Sequence, residues 1–127
     1  MTTEVRPFAV TIPAGTLQSA PASFALTMPS RVVTGIRWRV PPGPRGQVGW
    51  ALVVSGAHVF PFGDTGWIVA DDETDRVDFT NAPQTGAWQL VGYNTGLLPH
   101  TVYLQFMLEP VASRTASGAF VPLVITA

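Results

Sequence analysis

Residues 101–109 read TVYLQFMLE and are the clearest guide to the fold of this chain. Every second residue is a large apolar one, and these share a face: Val102, Leu104, Phe106 and Leu108. The opposite face carries Tyr103, Gln105, Met107 and Glu109. An alternation with a period of two residues is typical of a β-strand with one face in a core. The stretch therefore predicts a strand packed against a second layer.

The same two-residue alternation of apolar and polar side chains recurs in other segments, which turn residues separate. In Val32–Val40, Ile36, Trp38 and Val40 face inward while Arg37 and Arg39 face outward. Residues 6–12 place Phe8, Val10 and Ile12 on one face. Shorter runs lie at residues 24–28, 48–54, 58–60, 67–70, 76–80 and 88–93. We expect Val48–Val54 to be the hairpin partner of Val32–Val40, and residues 88–93 to pair with residues 101–109.

Twelve glycines and twelve prolines separate these runs, and no window shows a helical stripe. The expected fold is all-β, an antiparallel two-sheet sandwich or jelly roll of about eight strands with no significant helix. The whole chain, residues 1–127, is expected to form one domain. Within it we expect an N-terminal arm at residues 1–6, a linker at 110–119 and a C-terminal strand or arm at 120–127.

The composition narrows the range of functions. Charged residues make up 12% of the chain and the net charge is -1, so no strong field attracts nucleic acid or an anionic membrane, and neither is an expected partner. With no cysteine, neither a disulfide nor a thiolate metal site can form. The N-terminus shows no signal peptide and no apolar run spans a membrane, so we expect synthesis in the cytoplasm.

Two groups of residues could carry chemistry. The acidic cluster Asp71, Asp72, Glu73, Asp75 and Asp78 could offer oxygen ligands to calcium, but it lacks the EF-hand spacing and reads better as a solvated turn. Ser55, His58 and Asp64 could form a hydrolase triad, but no nucleophile elbow accompanies them, and the second histidine, His100, is read as a loop residue. We therefore predict no catalytic residue, no metal and no cofactor.

Four tryptophans could stack on sugars or fill a core. Trp38 shares a face with Ile36 and Val40, and Trp50 with Leu52 and Val54, so the core is favoured. Trp67 follows Gly66 at the start of a run and is the one we expect to be most exposed.

The C-terminal segment is apolar although it follows a polar linker. Its large apolar residues are Phe120, Val121, Leu123, Val124 and Ile125. Such a tail must bury itself, and Pro122 suits an edge position. It could return to its own sandwich or add to a neighbour. We predict an intermolecular arm.

Four stretches resemble a group of small virion-associated structural proteins of tailed phages of actinobacteria, of the head decoration or accessory type. They are VTIPAGT at residues 10–16, RWRVPPG at 37–43, WIVADDE at 67–73 and GAWQLVGYN at 86–94. The resemblance covers roughly residues 7–108 and implies a non-enzymatic protein located in the virion. It carries over no catalytic residue.

Three classes of function follow from these observations. The first is a capsid decoration or cement protein that binds the major capsid protein or another virion protein and forms a homo-oligomer such as a trimer. The second is a tail or fibre component that recognises a host-surface glycan. The third is a small glycan hydrolase, which would need two carboxylates facing each other across a cleft. The contiguous acidic cluster matches that requirement poorly.

Overall fold

The computed structural model describes residues 4–29, 31–63, 66–79 and 87–109. These residues form nine strands and no helix, which confirms the predicted all-β sandwich. The strands are β1 (Glu4–Ile12), β2 (Ala22–Ala25), β3 (Val32–Val40), β4 (Val48–Val54), β5 (Ala57–Phe60), β6 (Ile68–Val69), β7 (Glu73–Asp78), β8 (Trp88–Asn94) and β9 (His100–Glu109).

The strands form two antiparallel sheets. The first has the order β1-β9-β3-β7, and we call it sheet 1. The second, sheet 2, has the order β2-β8-β4-β5, and β6 also pairs with β4. Their inner faces enclose one hydrophobic core. Large apolar side chains dominate it because burying their surface drives the packing of one sheet on the other.

Both predicted hairpins are wrong. β3 pairs with β9 and β7 in sheet 1, whereas β4 pairs with β8, β5 and β6 in sheet 2. In the same way β8 and β9, although consecutive, lie in different sheets. The connections at residues 41–47 and 95–99 cross from one sheet to the other. Alternation shows which face of a strand is buried, but both sheets bury the same kind of face, so it does not identify the partner.

The predicted inward faces are correct. Trp50, Val102 and Phe106 are fully buried, and Trp38 and Leu104 nearly so. Arg37 and Arg39 are exposed on the outer face of sheet 1. Ring contacts connect the two sheets: Trp38 meets Trp50 at 5.5 Å between centroids, and Trp88 meets Phe106 at 5.4 Å, both edge to face.

Residues 4–6 of the predicted N-terminal arm belong instead to β1. Glu4, Val5 and Arg6 pair with Leu108, Met107 and Phe106 of β9. The alternation that begins at Phe8 extends back to Glu4 in the structure, since β9 is long enough to pair with it. Residues 1–3 of that arm, and all of 110–127, lie outside the described residues.

The strand register gives the sandwich two distinct ends. β1 ends at Ile12, β3 ends at Val40 and β8 ends at Asn94, where they face His100, Glu73 and Val48. The connections at residues 13–21, 41–47, 70–72 and 95–99 therefore lie together, and we call this the loop end. Glu4 pairs with Leu108 at the opposite end, which we call the terminal end.

Trp50 provides a test of the core. It is fully buried between Trp38 and Phe60, and its Nε1 has no hydrogen-bond partner among the described residues. Trp50→Ala should lower the free energy of unfolding by about 3–5 kcal/mol, because a large cavity replaces the ring. Trp50→Phe should cost much less, since it keeps a ring and removes a buried donor that lacks a partner.

Urea unfolding followed by circular dichroism gives both values. This account of the core would be contradicted by equal losses of unfolding free energy for Trp50→Ala and Trp50→Phe. An unchanged urea midpoint for Trp50→Ala would also contradict it.

Candidate interaction surface

Three leucines at the loop end point into solvent. Leu17, in the β1–β2 connection, is 60% exposed, while Leu97 and Leu98, in the β8–β9 connection, are 95% and 67% exposed. We call this set the leucine patch. Exposed apolar side chains grouped at one end of a fold are typical of a surface that another molecule covers.

Backbone hydrogen bonds join the two connections that carry these leucines. Thr16 and Asn94 exchange both of their N–H to carbonyl bonds, at 2.8 and 2.9 Å. The Gly15 N–H also donates to the carbonyl of Gly96, at 3.3 Å. Gly15 has a positive φ of 74°, a conformation that glycine adopts without strain. The leucine patch is therefore held on a fixed backbone.

Asn94 is the centre of this arrangement. Its side-chain amide is fully buried and its Nδ2 donates to the carbonyls of Ile12 and Leu98, at 3.1 and 2.8 Å. Its Oδ1 accepts from the N–H of Gly96 at 2.9 Å. Both amide donors and the acceptor are used, so this buried polar group costs little and fixes the β8–β9 connection from inside.

A third connection is tied to the same group. The N–H of Thr95 donates to the carbonyl of Gln47, at 3.0 Å, and Gln47 follows the proline-rich stretch between β3 and β4. Asp71 holds the other side of that stretch, because its two carboxylate oxygens accept from the N–H groups of Gly43 and Arg45, at 2.9 and 3.0 Å. Backbone bonds thus join three connections of the loop end, and the Asp71 carboxylate ties in the fourth.

The leucine patch offers apolar contact and no acid–base chemistry. Residues 13–20 and 95–99 contain no charged residue and no histidine. Burying a leucine side chain is worth about 1.5–3 kcal/mol. The sequence alone does not reveal the leucine patch, because Leu17 and the pair Leu97 and Leu98 lie on connections that are distant in the chain.

The acidic cluster is used within the chain. Asp71 caps the stretch after β3, and Asp72 pairs with Arg39 at 2.8 Å. Asp78 pairs with Arg76 at 3.3 Å. β7 already begins at Glu73, so the turn is shorter than predicted. Within residues 4–29, 31–63, 66–79 and 87–109, no group of three or more histidine, aspartate or glutamate side chains could hold a metal ion.

Ser55 and His58 are each engaged with the backbone. Ser55, with a φ of 49°, and Gly56 form the tight turn between β4 and β5, and the Ser55 hydroxyl accepts from the N–H of Ala87 at 3.3 Å. His58 Nε2 bonds to the carbonyl of Pro61. Asp64 lies outside the described residues. Ser55 and His58, the two described members of the hypothetical triad, therefore each bond to the backbone.

Trp67 is half-buried and, as expected, is the most exposed of the four tryptophans, although its ring packs edge to face on Tyr93 at 5.0 Å. Tyr93 in turn lies over Gly49, where a Cβ atom would come within 2.3 Å of the ring. This pair covers part of the outer face of sheet 2. Trp38, Trp50 and Trp88 are in the core, as predicted.

A shallow depression of about 370 Å³ lies on the outer face of sheet 1. Its lining includes Arg37, Arg39, Thr74, Tyr103 and Gln105. Tyr103 is 48% exposed, so its ring is available for stacking beside a guanidinium and an amide.

The predicted arm residues Phe120, Val121, Leu123, Val124 and Ile125 lie outside the described part of the chain.

Solved structures that match this chain include a phage capsid chain and FLHE. A chain of the cyanophage Pam1 capsid asymmetric unit matches with a TM-score of 0.57 and 12% identity, over 85% of this chain and 85% of that chain. The crystal structure of FLHE matches with a TM-score of 0.48 and 15% identity, over 86% of this chain and 99% of that chain. No family model and no curated protein matches. The likeness to the Pam1 chain shows a shared fold.

No helix long and apolar enough to cross a membrane is present in the described ranges.

Asn94 provides the test of the loop end. Asn94→Ala would leave the carbonyls of Ile12 and Leu98 and the N–H of Gly96 without this partner, and should lower the free energy of unfolding by about 2–4 kcal/mol. The control is Gln105→Ala, an exposed position of β9 that should change stability by less than about 0.5 kcal/mol. Urea unfolding measures both, and equal effects of the two variants would contradict the role given to Asn94.

Proposed function

We propose that this chain is a structural protein of a phage virion and acts as a decoration or cement protein on the capsid lattice. The leucine patch carries the proposal. Three exposed leucines on connections cross-linked by backbone bonds form a preorganised apolar contact, and little ordering entropy is lost when such a surface meets a partner.

Two further observations support a capsid location. The fold is shared with a chain of the cyanophage Pam1 capsid asymmetric unit, and sequence stretches resemble virion proteins of actinobacterial phages. The partner would be the major capsid protein or another virion protein. Bound across subunit boundaries, each copy would stabilise the shell by its binding free energy.

The contacts of the polar residues favour binding over catalysis. Ser55 and His58, which could act as nucleophile and base, both bond to the backbone, and Asp71 and Asp72 are occupied by the chain itself. Apolar association needs none of these groups. The proposed role is therefore non-enzymatic and needs no cofactor.

A second candidate function rests on the depression of sheet 1. Tyr103 lies opposite Arg39, and Gln105 lies opposite Arg37. Together they offer a ring, an amide and cations, the groups that sugar binding uses, so a tail or fibre protein recognising a host-surface glycan is the alternative. The two candidates use different faces of the molecule, so one pair of variants separates them.

The leucine patch is tested by Leu97→Ser combined with Leu98→Ser. Both side chains are exposed, so the fold should be unchanged, while binding to virions stripped of this protein should weaken about a hundredfold. The estimate takes ~1.5 kcal/mol for each buried leucine and 1.4 kcal/mol for each factor of ten in affinity. Binding is measured by sedimentation of virions with labelled protein.

The matched control is Tyr103→Ser, which also removes an exposed apolar side chain and should leave binding to virions unchanged. Full binding by the double leucine variant would refute the role of the leucine patch. If instead Tyr103→Ser abolishes binding to host cells while the double leucine variant binds them normally, the glycan-recognition function replaces the capsid one.

A further inference from the structure

The sheet edges differ in how well they are protected from strand addition. β7 closes one side of sheet 1 and carries Glu73, Asp75, Arg76 and Asp78, which discourages pairing with another strand. In sheet 2, β2 has only four residues and follows Pro21. The opposite side of sheet 2 is divided between β5 and β6, with residues 61–67 between them. These three edges are short, broken or charged.

The fourth edge, β1, has none of these protections over most of its length. It has nine residues, and its only charges are Glu4 and Arg6 near the terminal end. β1 pairs with β9 on one side, and no other described strand pairs with it. Val5, Pro7, Ala9 and Thr11 are exposed on its outer face, and Pro7 removes a single N–H from the strand. Residues 8–12 therefore present an uncharged edge that another strand can extend.

The chain itself contains a segment of matching chemistry. Residues 120–127 read FVPLVITA, without a charged residue, and are joined to β9 by residues 110–119. β9 ends at Glu109, beside the start of β1, because Leu108 pairs with Glu4. Residues 120–127 also have the same length as residues 5–12 of β1, eight residues each.

We propose that residues 120–127 of one copy add as an antiparallel strand to the open edge of β1 in a second copy. Every strand pair of the described sandwich is antiparallel, and a parallel addition would be the less stable alternative. The added strand would complete sheet 1 across the boundary between two copies and bury the apolar tail.

Chain length favours a second copy over the tail's own β1. To run antiparallel to its own β1, the tail would first have to reach the loop end, about 27 Å away at 3.4 Å per residue. The ten residues 110–119 span at most ~33–36 Å when fully extended. Only ~6–9 Å then remains for passing the two strand spacings of ~4.8 Å from β9 to the far side of β1 and for reversing direction, so pairing with its own β1 would require a nearly fully extended linker. A tail arriving from a neighbour needs no such stretch.

This inference does not depend on the proposed function, because it concerns how copies of the chain associate with one another. Its test uses the absence of cysteine from the sequence. One full-length chain carries Ala9→Cys on β1, and a second, affinity-tagged full-length chain carries either Leu123→Cys or Val124→Cys. When residues 120–127 pair with residues 5–12 in the antiparallel sense, Leu123 lies opposite Ala9, and a one-residue shift of register places Val124 there instead.

Mild oxidation of the mixed proteins should produce a disulfide-linked heterodimer with at least one of the two tail positions, since residues opposite each other on adjacent strands come close enough to cross-link. The matched control is Ala25→Cys, exposed on the β2 edge of sheet 2, which should give at most a tenth of that yield.

Three results would overturn the inference. The first concerns a chain that carries two cysteines, Ala9→Cys together with either Leu123→Cys or Val124→Cys. If such a chain forms only intramolecular disulfides, the tail pairs with its own β1. Another is an equal yield from Ala25→Cys, and the last is the absence of any heterodimer. None of them bears on binding to virions through the leucine patch, so this inference and the proposed function can fail separately.

Discussion

Edge-to-face packing of aromatic rings between the two sheets is the interaction on which the rest of this structure depends. Trp38 of sheet 1 meets Trp50 of sheet 2, and Trp88 of sheet 2 meets Phe106 of sheet 1. Since consecutive strands such as β3 and β4 lie in different sheets, no hairpin ties these layers together at that point. The burial of these rings therefore holds the two sheets in register. Connections cross from one sheet to the other at both ends of the sandwich.

That constraint explains why the loop end is ordered by hydrogen bonds. A connection that crosses between sheets cannot use a ladder, so its polar backbone groups need other partners. Asn94 supplies three of them from a buried position, and the Thr16–Asn94 bridge joins the β1–β2 connection to the end of β8. With the backbone satisfied from inside, Leu17, Leu97 and Leu98 are left facing outward.

The sequence was informative about strands and faces but not about partners. Val32–Val40 was predicted with its observed bounds, and the burial of Trp38, Trp50 and Phe106 followed from alternation alone. The partner of β4 could not be predicted, because local alternation is the same in either sheet and the choice depends on contacts distant in sequence. The leucine patch could not be predicted for a related reason, since hydrogen bonds join its two connections only once the strands of both sheets are in place.

The central functional claim is that the chain covers a capsid surface in many copies. The most direct measurement is the number of copies per virion, obtained by quantitative mass spectrometry of purified phage particles whose genome carries this reading frame, with the major capsid protein as internal standard. We predict hundreds of copies, in a fixed ratio to the major capsid protein. A handful of copies would indicate a tail position, and absence from the particle would contradict the account.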